Sequence, residues 1–461
     1  MTKRIGFVLL GLSLVLFCAK KSTGPDDSKT PQDLIDRIDA LTGVTVMEIS
    51  PTPGFQRTFQ IDIMQPLDHD VSDGLQFSQR LYLNHTGETR PLVFGPSGYG
   101  ATAARVFELT PLLNANQIYV THRFFPEAMP VPADWRQCTI WQAANDHHRI
   151  VELFKTIYPG KWISTGRSKN GMTAFFHRRY FPDDVDATVA YVAPLPLDTA
   201  DVRFDQFLGT VSTPENREKI SNFQRAVLKK RGEIIPMVRN TIDGQGLTCS
   251  VGAGGALEYA VCEYPFAFWQ SGPGDCSEIP DTNATAAVLY QHLELRSGTL
   301  LFTDQYSAYY APLWYQAYTQ FGYYRLIFEH LADLMESVAH PSYGRFVPAG
   351  YALDFDPQIS QDILNWIQTE GNNMIFIYGG QDPWSAAAIT LTGQTNALKF
   401  VHPGGNHSVR IADLAEQQTV YNTLEQWLGL SVDVTKAGLG QDSCWETPWY
   451  ERPFEPHKSA M

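Results

Sequence analysis

Residues 160–175, GKWISTGRSKNGMTAF, join a run typical of a buried strand to a run typical of a helix. Ser168 lies at the junction, two residues after Gly166, as in the G-x-S-x-G turn that lifts a nucleophilic serine above the edge of a sheet. That pattern has a second glycine two residues after the serine, where this chain has Asn170. Because asparagine tolerates left-handed backbone angles better than most residues, we expect Asn170 to be a feasible but poorer substitute. Ser168 is therefore predicted to be a nucleophile on a slightly irregular strand-to-helix turn.

Short, continuous apolar runs recur on both sides of this turn, with helix-like stretches between them. They occupy residues 90–100, 116–125, 160–168, 186–195, 373–386 and 397–408. Such runs are typical of strands buried on both faces of a parallel sheet, and their alternation with helices predicts an α/β doubly wound architecture with right-handed crossovers. Before them, two alternating segments at 55–68 and 75–86 flank an Asp-Gly turn signal and predict an antiparallel pair.

The alternation of strands and helices stops near residue 201 and resumes near residue 372. Between these points the chain is rich in amphipathic, aromatic stretches such as YSAYYAPLWYQAYTQFGYYRLIFEHLADLMES, residues 306–337. We interpret residues 201–371 as a mostly helical cap inserted into a sheet domain made of residues 46–200 and 372–461, the latter with a C-terminal tail. The aromatic side chains are expected to pack the core of this cap, and some of them to line a cleft against the sheet.

The first 45 residues are typical of a targeting segment followed by a tether. Lys3 and Arg4 precede the apolar run IGFVLLGLSLVLF, which is short for a membrane span and typical of an export signal. Cys18 follows at once, so lipidation of this cysteine is one expectation; a plain secretory signal cleaved further on is the other. We predict a signal peptide at 1–18, a flexible polar tether at 19–45, and export to the bacterial cell envelope, either membrane-attached through Cys18 or secreted.

The overall composition is that of a large globular protein. The chain has 461 residues, of which 44% are hydrophobic, and a formal net charge of −14, which argues against nucleic-acid partners. Besides Cys18, the cysteines are Cys138, Cys249, Cys262, Cys276 and Cys444. The middle three are close enough in sequence for one local disulfide in an oxidising compartment. No spacing of cysteine and histidine predicts a metal site, and no cofactor is expected.

Two late strand ends carry the side chains that a nucleophilic serine requires. A serine needs a base to accept its proton and a third group to orient that base, and on sheets of this type the chain order is serine, acid, histidine. Asp382 follows the strand-like run MIFIYGGQ, and His407 follows LKFVHPGGN in a glycine-rich loop. Open α/β sheets carry their chemistry at the carboxyl ends of strands, so Ser168, Asp382 and His407 are predicted to form a catalytic triad. His402, at the end of its strand, is the less suitable histidine.

Donors for an oxyanion are expected beside the serine. The backbone N–H of Lys169 begins the predicted helix after Ser168, and a second N–H should come from the glycine-rich loop GPSGYG. Within that loop, Tyr99 is the preferred donor and Gly98 the reserve.

Three blocks of sequence carry a resemblance to a known family. The blocks are WISTGRSKNGMTAFFHRRYFPDDVDATVAYVAPL, YGGQDPWSA and PGGNHSVRI. They resemble the bacterial secreted tripeptidyl-aminopeptidases, serine peptidase family thirty-seven of the α/β-hydrolase superfamily. The resemblance implies an α/β-hydrolase fold with a helical cap, a triad of Ser168, Asp382 and His407, and release of short peptides from free N-termini. The stretch THRFFPEAMP is also similar to the related prolyl-carboxypeptidase-like enzymes.

An exopeptidase must hold the charged end of its substrate. A carboxylate in the cleft is the natural partner of a substrate ammonium, and Glu127, in the loop after YVTHRFF, is the candidate; the alternative is a solvated loop residue. Trp384 could line the pocket or simply pack. We predict an exported serine exopeptidase acting on oligopeptides and releasing short peptides, tripeptides in the first place. The alternatives are an esterase or lipase on the same fold, or an inactive surface-anchored binding lipoprotein.

Overall fold

A computed structural model describes residues 33–272 and 275–440, and nine strands in this part of the chain form one sheet. The strands are β1 (Val44–Ile49), β2 (Arg57–Pro66), β3 (Gln76–His85), β4 (Leu92–Pro96), β5 (Asn116–Val120), β6 (Trp162–Arg167), β7 (Ala187–Tyr191), β8 (Met374–Gly379) and β9 (Leu398–His402). Their order is β1-β2-β3-β5-β4-β6-β7-β8-β9. The first three strands and the β3–β5 pair are antiparallel, and all later neighbours are parallel. The predicted α/β architecture is confirmed.

Twelve α-helices accompany the sheet in the described residues. They are α1 (Leu34–Asp39), α2 (Leu109–Leu112), α3 (Ile140–Lys155), α4 (Lys169–Tyr180), α5 (Val202–Thr210), α6 (Pro214–Lys229), α7 (Arg231–Gly244), α8 (Gly252–Ser271), α9 (Ala286–Arg296), α10 (Asp304–Gln316), α11 (Pro357–Thr369) and α12 (Gln417–Leu428). None of the helices in these residues is both long and apolar enough to cross a bilayer.

Both faces of the parallel strands are covered, which explains their continuous apolar sequence. In β8, Ile375 and Ile377 pack in the same cluster as the apolar side chains of α12. The alternating residues Phe376 and Tyr378 pack with α4 and with the helices that follow β7. Since successive side chains of a strand point to opposite faces, helices must lie on both sides of the sheet.

Helices α5 to α11 follow β7 and precede β8, and we refer to residues 202–369 as the cap segment. Its core is aromatic and continuous with one face of the sheet; for example, Phe204 and Phe266 both contact Trp384, which follows β8. The cap segment therefore packs directly over the carboxyl ends of the central strands.

Three expectations can be compared with the observed elements. The last part of the expected tether at 19–45 is folded: it contains α1 and the start of β1. Leu34 and Ile38 of α1 are buried against the first strands. Within the aromatic stretch 306–337, the helical residues end at Phe321, because the next residue, Gly322, has a φ of 79°. Only glycine fits there, since a side chain would meet the backbone of Asp198. The predicted antiparallel pair is confirmed as β2 and β3.

The expected local disulfide is not formed in the structure. Cys249, Cys262 and Cys276 are all free thiols, and Cys138 is a fourth. Cys262 is buried in the middle of α8, within the core of the cap segment, where its side chain packs as an apolar group. Cys18, Cys444 and the predicted signal peptide lie outside the described residues.

Candidate active site

Ser168 lies on the sharp turn between β6 and α4. Its backbone has a φ of 58° and a ψ of −132°, which is strained for a residue with a side chain. The turn is held by the N–H of Ser168, which donates to the carbonyl oxygen of Tyr191 on β7 at 2.8 Å. Such strained positions occur at functional sites, where the surrounding structure imposes them.

Two glycines allow this turn because the backbone of α4 approaches β6 closely. A Cβ on Gly166 would lie 2.4 Å from the carbonyl carbon of Asn170, and one on Gly171 would lie 2.7 Å from the oxygen of Gly166. Asn170 itself is in the first turn of α4, and the left-handed backbone is at Ser168. The expectation that Asn170 replaces a glycine of left-handed conformation is therefore wrong: the position is helical and has room for a side chain.

Asp382 and His407 meet at the carboxyl ends of the last two strands. Nδ1 of His407 lies 2.7 Å from Oδ2 of Asp382, and both side chains are buried. Oδ1 of Asp382 accepts a hydrogen bond of 3.2 Å from the N–H of Trp384. Asp382 is thus held at both oxygens and can orient the imidazole.

Two further bonds hold the loop of His407 in place. Nη1 of Arg167, the residue before Ser168, donates to the carbonyl oxygen of His407 at 2.7 Å. The N–H of His407 donates to the carbonyl oxygen of Gln270, near the end of α8, at 3.0 Å. His402 takes no part in this arrangement: it ends β9, and its carbonyl accepts from Gly380. The nucleophile turn, the histidine loop and the cap segment therefore meet at one place.

A cavity of about 240 Å³ opens beside Ser168, between the sheet and the cap segment. Seven of its lining residues are aromatic, with Tyr99 and Trp384 on the sheet side, and Arg296 of α9 also lines it. Trp384 lines this cavity and also packs against Phe204 and Phe266, and its ring lies 6.4 Å from that of His407. The aromatic residues lining this cavity are Tyr99, Tyr310, Trp314, Tyr323, Tyr324, Tyr343 and Trp384.

Glu263 of α8 places a carboxylate in this cavity. It is buried, and its oxygens accept hydrogen bonds of 2.8–2.9 Å from the hydroxyls of Tyr324 and Tyr343. Burial raises the pKa of Glu263 to about 7, against the opposing effect of the two tyrosine hydroxyls. A cation entering the cavity would relieve that cost of burying the charged form.

The carboxylate predicted for this role, Glu127, lies beside Gly100, the neighbour of Tyr99. It belongs to the short helical turn Pro126–Ala128, and its Oε2 is near Gly100 together with the hydroxyl of Tyr309. Glu127 is not among the residues that line the cavity beside Ser168. Sequence position suggested Glu127 because it follows a strand of the sheet, whereas the acid that reaches the cavity comes from the cap segment.

The predicted oxyanion donors are only partly as expected. The N–H of Lys169 belongs to the first residue of α4, so it has no acceptor within the helix. The N–H of Tyr99 already donates to Oγ of Ser97 at 2.9 Å, and that of Gly98 to Oδ1 of Asn170 at 2.7 Å. Tyr99 is the second donor preferred from the sequence, but in this structure its N–H is already bound to the hydroxyl of Ser97, which forms a local turn.

Comparison with known proteins shows which family the sequence of this chain matches. The pattern of a family described as PS-10 peptidase S37 matches residues 28–440. The chain is also 34% identical to the prolyl tri/tetrapeptidyl aminopeptidase of Streptomyces mobaraensis, over 87% of its own length and 86% of that protein's.

Solved structures of low sequence identity are also similar to this chain. VinJ is 11% identical with a TM-score of 0.37, matched over 80% of this chain and 98% of its own. A proline iminopeptidase-related protein of Thermus thermophilus is 10% identical with a TM-score of 0.32, over 84% and 99% of the two chains.

Proposed function

The chain belongs to the PS-10 peptidase family, and from that membership we propose that it is a serine aminopeptidase releasing short peptides from the free N-termini of oligopeptides. The observation that carries the proposal is one cavity lined by both Ser168 and Glu263. An enzyme that releases peptides of fixed length from an N-terminus requires a nucleophile and an acceptor for the terminal ammonium in the same cavity.

In the proposed reaction, His407 takes the proton of the Ser168 hydroxyl as Oγ attacks the scissile carbonyl carbon. The bond between Asp382 and Nδ1 keeps the other nitrogen, Nε2, available as the base and stabilises the imidazolium that forms. The imidazolium then gives its proton to the leaving amine as the C–N bond breaks. Water, deprotonated by His407, hydrolyses the acyl-enzyme and releases the short peptide with a new carboxylate.

Glu263 would determine which peptide bond of the substrate is cleaved. An ammonium that binds this buried carboxylate forms a charge-assisted pair, beside the hydroxyls of Tyr324 and Tyr343. The number of residues released is then set by how many span the space between Glu263 and Ser168. The Streptomyces relative is named for tri- and tetrapeptides, and we propose tripeptides as the main product here.

We also propose that the protein is exported. The proposal is supported by Lys3, Arg4 and the apolar run before Cys18. Radiolabelled palmitate and a Cys18→Ser variant would separate a lipid-anchored product from a secreted one: label lost in the variant supports the anchor, and no label in either supports a plain secretory signal.

A substrate series tests the proposed activity. The series has one to four residues before a chromogenic amide, each with a free and with an acetylated N-terminus. We expect a sharp maximum of kcat/KM at three residues and a large loss on acetylation. Cleavage of simple acyl esters with no cleavage of any amide in the series would contradict the peptidase proposal.

A further inference from the structure

The two residues that follow Ser168 both bind the loop formed by residues 97–99. Nζ of Lys169 donates to the carbonyl oxygen of Gly98 at 2.8 Å. Oδ1 of Asn170 accepts from the N–H of Gly98 at 2.7 Å and from the hydroxyl of Ser97 at 3.2 Å. Both backbone groups of Gly98 are therefore held by side chains of the helix that begins at the nucleophile.

The contact between this loop and α4 is close and buried. Ser97, Lys169 and Asn170 are all buried. A Cβ on Gly98 would lie 2.5 Å from Cγ and 2.8 Å from the carbonyl oxygen of Lys169, so only glycine allows the loop to approach so far. Hydrogen bonds in such a place are costly to lose, because the freed polar groups have no water to replace their partners.

The amine of Lys169 is buried, and burial disfavours its charged form. It lies over the rings of Tyr99 and Phe321, at 5.8 and 5.9 Å from their centres. Burial lowers the pKa of Lys169 to about 7, and burial also keeps the pKa of the nearby His122 well below its usual value. The amine carries N–H donors in either protonation state, so its bond to Gly98 persists on both sides of neutral pH.

We propose that Lys169 and Asn170 are positioning residues that fix the peptide between Gly98 and Tyr99 for oxyanion stabilisation. The inference rests on Ser168 being the nucleophile of the proposed function. Because a peptide is planar, holding the oxygen of Gly98 also sets the direction of the Tyr99 N–H. The carbonyl oxygen of Tyr99 is fixed as well, by the N–H of His122 at 2.9 Å.

This arrangement gives the bond between Tyr99 and Ser97 a role. In the resting protein the Tyr99 N–H donates to the Ser97 hydroxyl, while that hydroxyl donates to Asn170. A tetrahedral oxyanion is a stronger acceptor than a hydroxyl. The N–H of Tyr99 would exchange the Ser97 hydroxyl for the oxyanion, and the bonds that hold Gly98 limit how far the peptide turns in doing so, so the donor is largely organised before the reaction starts.

Kinetics of Lys169→Met test the lysine. The variant keeps the apolar stem and removes the donor. We expect kcat to fall about 100-fold with KM changed less than about twofold, since a misplaced donor weakens the transition state alone. The melting temperature serves as the control for folding, because losing the buried bond to Gly98 destabilises the protein while removing a buried amine offsets that cost. A kcat within about twofold of the wild type, or a loss confined to KM, would overturn the proposal for Lys169.

A double-mutant cycle tests the asparagine. Ser97→Ala and Asn170→Ala should each lower kcat about tenfold, and the double variant should lose little more than either, because both act on the same loop. Losses that multiply would overturn the shared role. Thr173→Val, one turn further along α4, removes a hydroxyl that binds only the carbonyl of Lys169 among the contacts described, and should retain full kcat.

These results separate the inference from the proposed function. If Ser168→Ala is inactive while Lys169→Met and Asn170→Ala are fully active, the nucleophile stands and the positioning role fails. If wild-type protein cleaves the peptide series and Ser168→Ala does so equally well, the nucleophile itself is wrong and the inference fails with it.

Discussion

Arg167 donates a hydrogen bond of 2.7 Å from Nη1 to the carbonyl oxygen of His407. The two residues are 240 positions apart in the chain, and their bond joins the nucleophile turn to the loop that carries the proposed base. The guanidinium is buried and lies 5.4 Å from the centre of the Tyr191 ring on β7. Arg167 would thus act on the proposed triad through the backbone of His407.

Replacing Arg167 by methionine should weaken both stability and catalysis. The carbonyl of His407 would lose a partner in a buried place, at a cost of about 2 kcal/mol in the free energy of unfolding. Looser placement of the imidazole should lower kcat about tenfold. Chemical denaturation and steady-state kinetics would measure the two effects. Arg167→Lys, which retains one cationic donor, should lie between methionine and the wild type; equal loss in both variants would contradict a role for the bond.

Asp382→Asn should leave the fold intact and lower kcat about 10⁴-fold, because an amide in that place favours the wrong imidazole tautomer. The measurement is kcat on the best tripeptide amide, with circular dichroism as the control for folding. His407→Ala should be at least as damaging. An Asp382→Asn variant with more than about a tenth of the wild-type kcat would exclude Asp382 from the triad.

Glu263→Gln should act on the recognition of the N-terminus. The amide keeps the shape of the side chain and removes its charge, so kcat/KM for substrates with a free N-terminus should fall about 30-fold or more. Substrates with an acetylated N-terminus carry no ammonium, and the variant should cleave them no more slowly than the wild type does. Glu127→Gln, which changes a carboxylate outside the cavity, is the matched control and should behave as the wild type.

Glu263 should also give KM a characteristic dependence on pH. Because burial raises its pKa to about 7, the carboxyl is largely protonated at pH 6 and ionised at pH 8. KM for free N-terminal substrates should therefore fall as the pH rises through 7, until the substrate amine loses its own proton near pH 8. In Glu263→Gln the fall of KM between pH 6 and 8 should disappear. An unchanged profile in the variant would mean that another group controls binding.

The nucleophile turn should tolerate no side chain at Gly166. A Cβ there would meet backbone atoms of Asn170 at 2.4 Å, so Gly166→Ala should destabilise the protein by about 3 kcal/mol. Gly209, near the end of α5, offers a matched control because a Cβ there would have no heavy atom within 4 Å. Gly209→Ala should stabilise the helix by about 0.5 kcal/mol. Equal melting temperatures for the two variants would contradict the close packing of β6 and α4.

The parallel part of the sheet and the order of the candidate triad could be predicted from sequence for a physical reason. Strands covered on both faces are continuously apolar, so their ends, and the residues at those ends, stand out. Strand β1 lacks this signal: it is an edge strand with half-exposed side chains, and it follows a polar segment. Burial of α1 against the sheet depends on tertiary contacts that no local pattern reveals.

The carboxylate on which the proposed specificity depends lies in the cap segment and is not identified from the sequence. Glu263 stands in the largely apolar helix α8, within GALEYAVCEYPFAFW, where the other charged residue is Glu258. A charge in such a helix is costly to bury, and this cost is the sequence signal that marks Glu263 as unusual. Its partners could not be predicted, because Tyr324 and Tyr343 are 61 and 80 residues further along the chain. Likewise, the role of Asn170 depends on a loop more than 70 residues earlier.

Labelling with a fluorophosphonate tests the central claim, that Ser168 is the nucleophile, most directly. After complete inhibition, digestion and mass spectrometry should find one adduct per chain, on the peptide that contains Ser168, with loss of peptidase activity in proportion to labelling. The Ser168→Ala variant should remain unlabelled. An adduct on another residue, or full peptidase activity in a protein whose Ser168 is completely modified, would contradict the account.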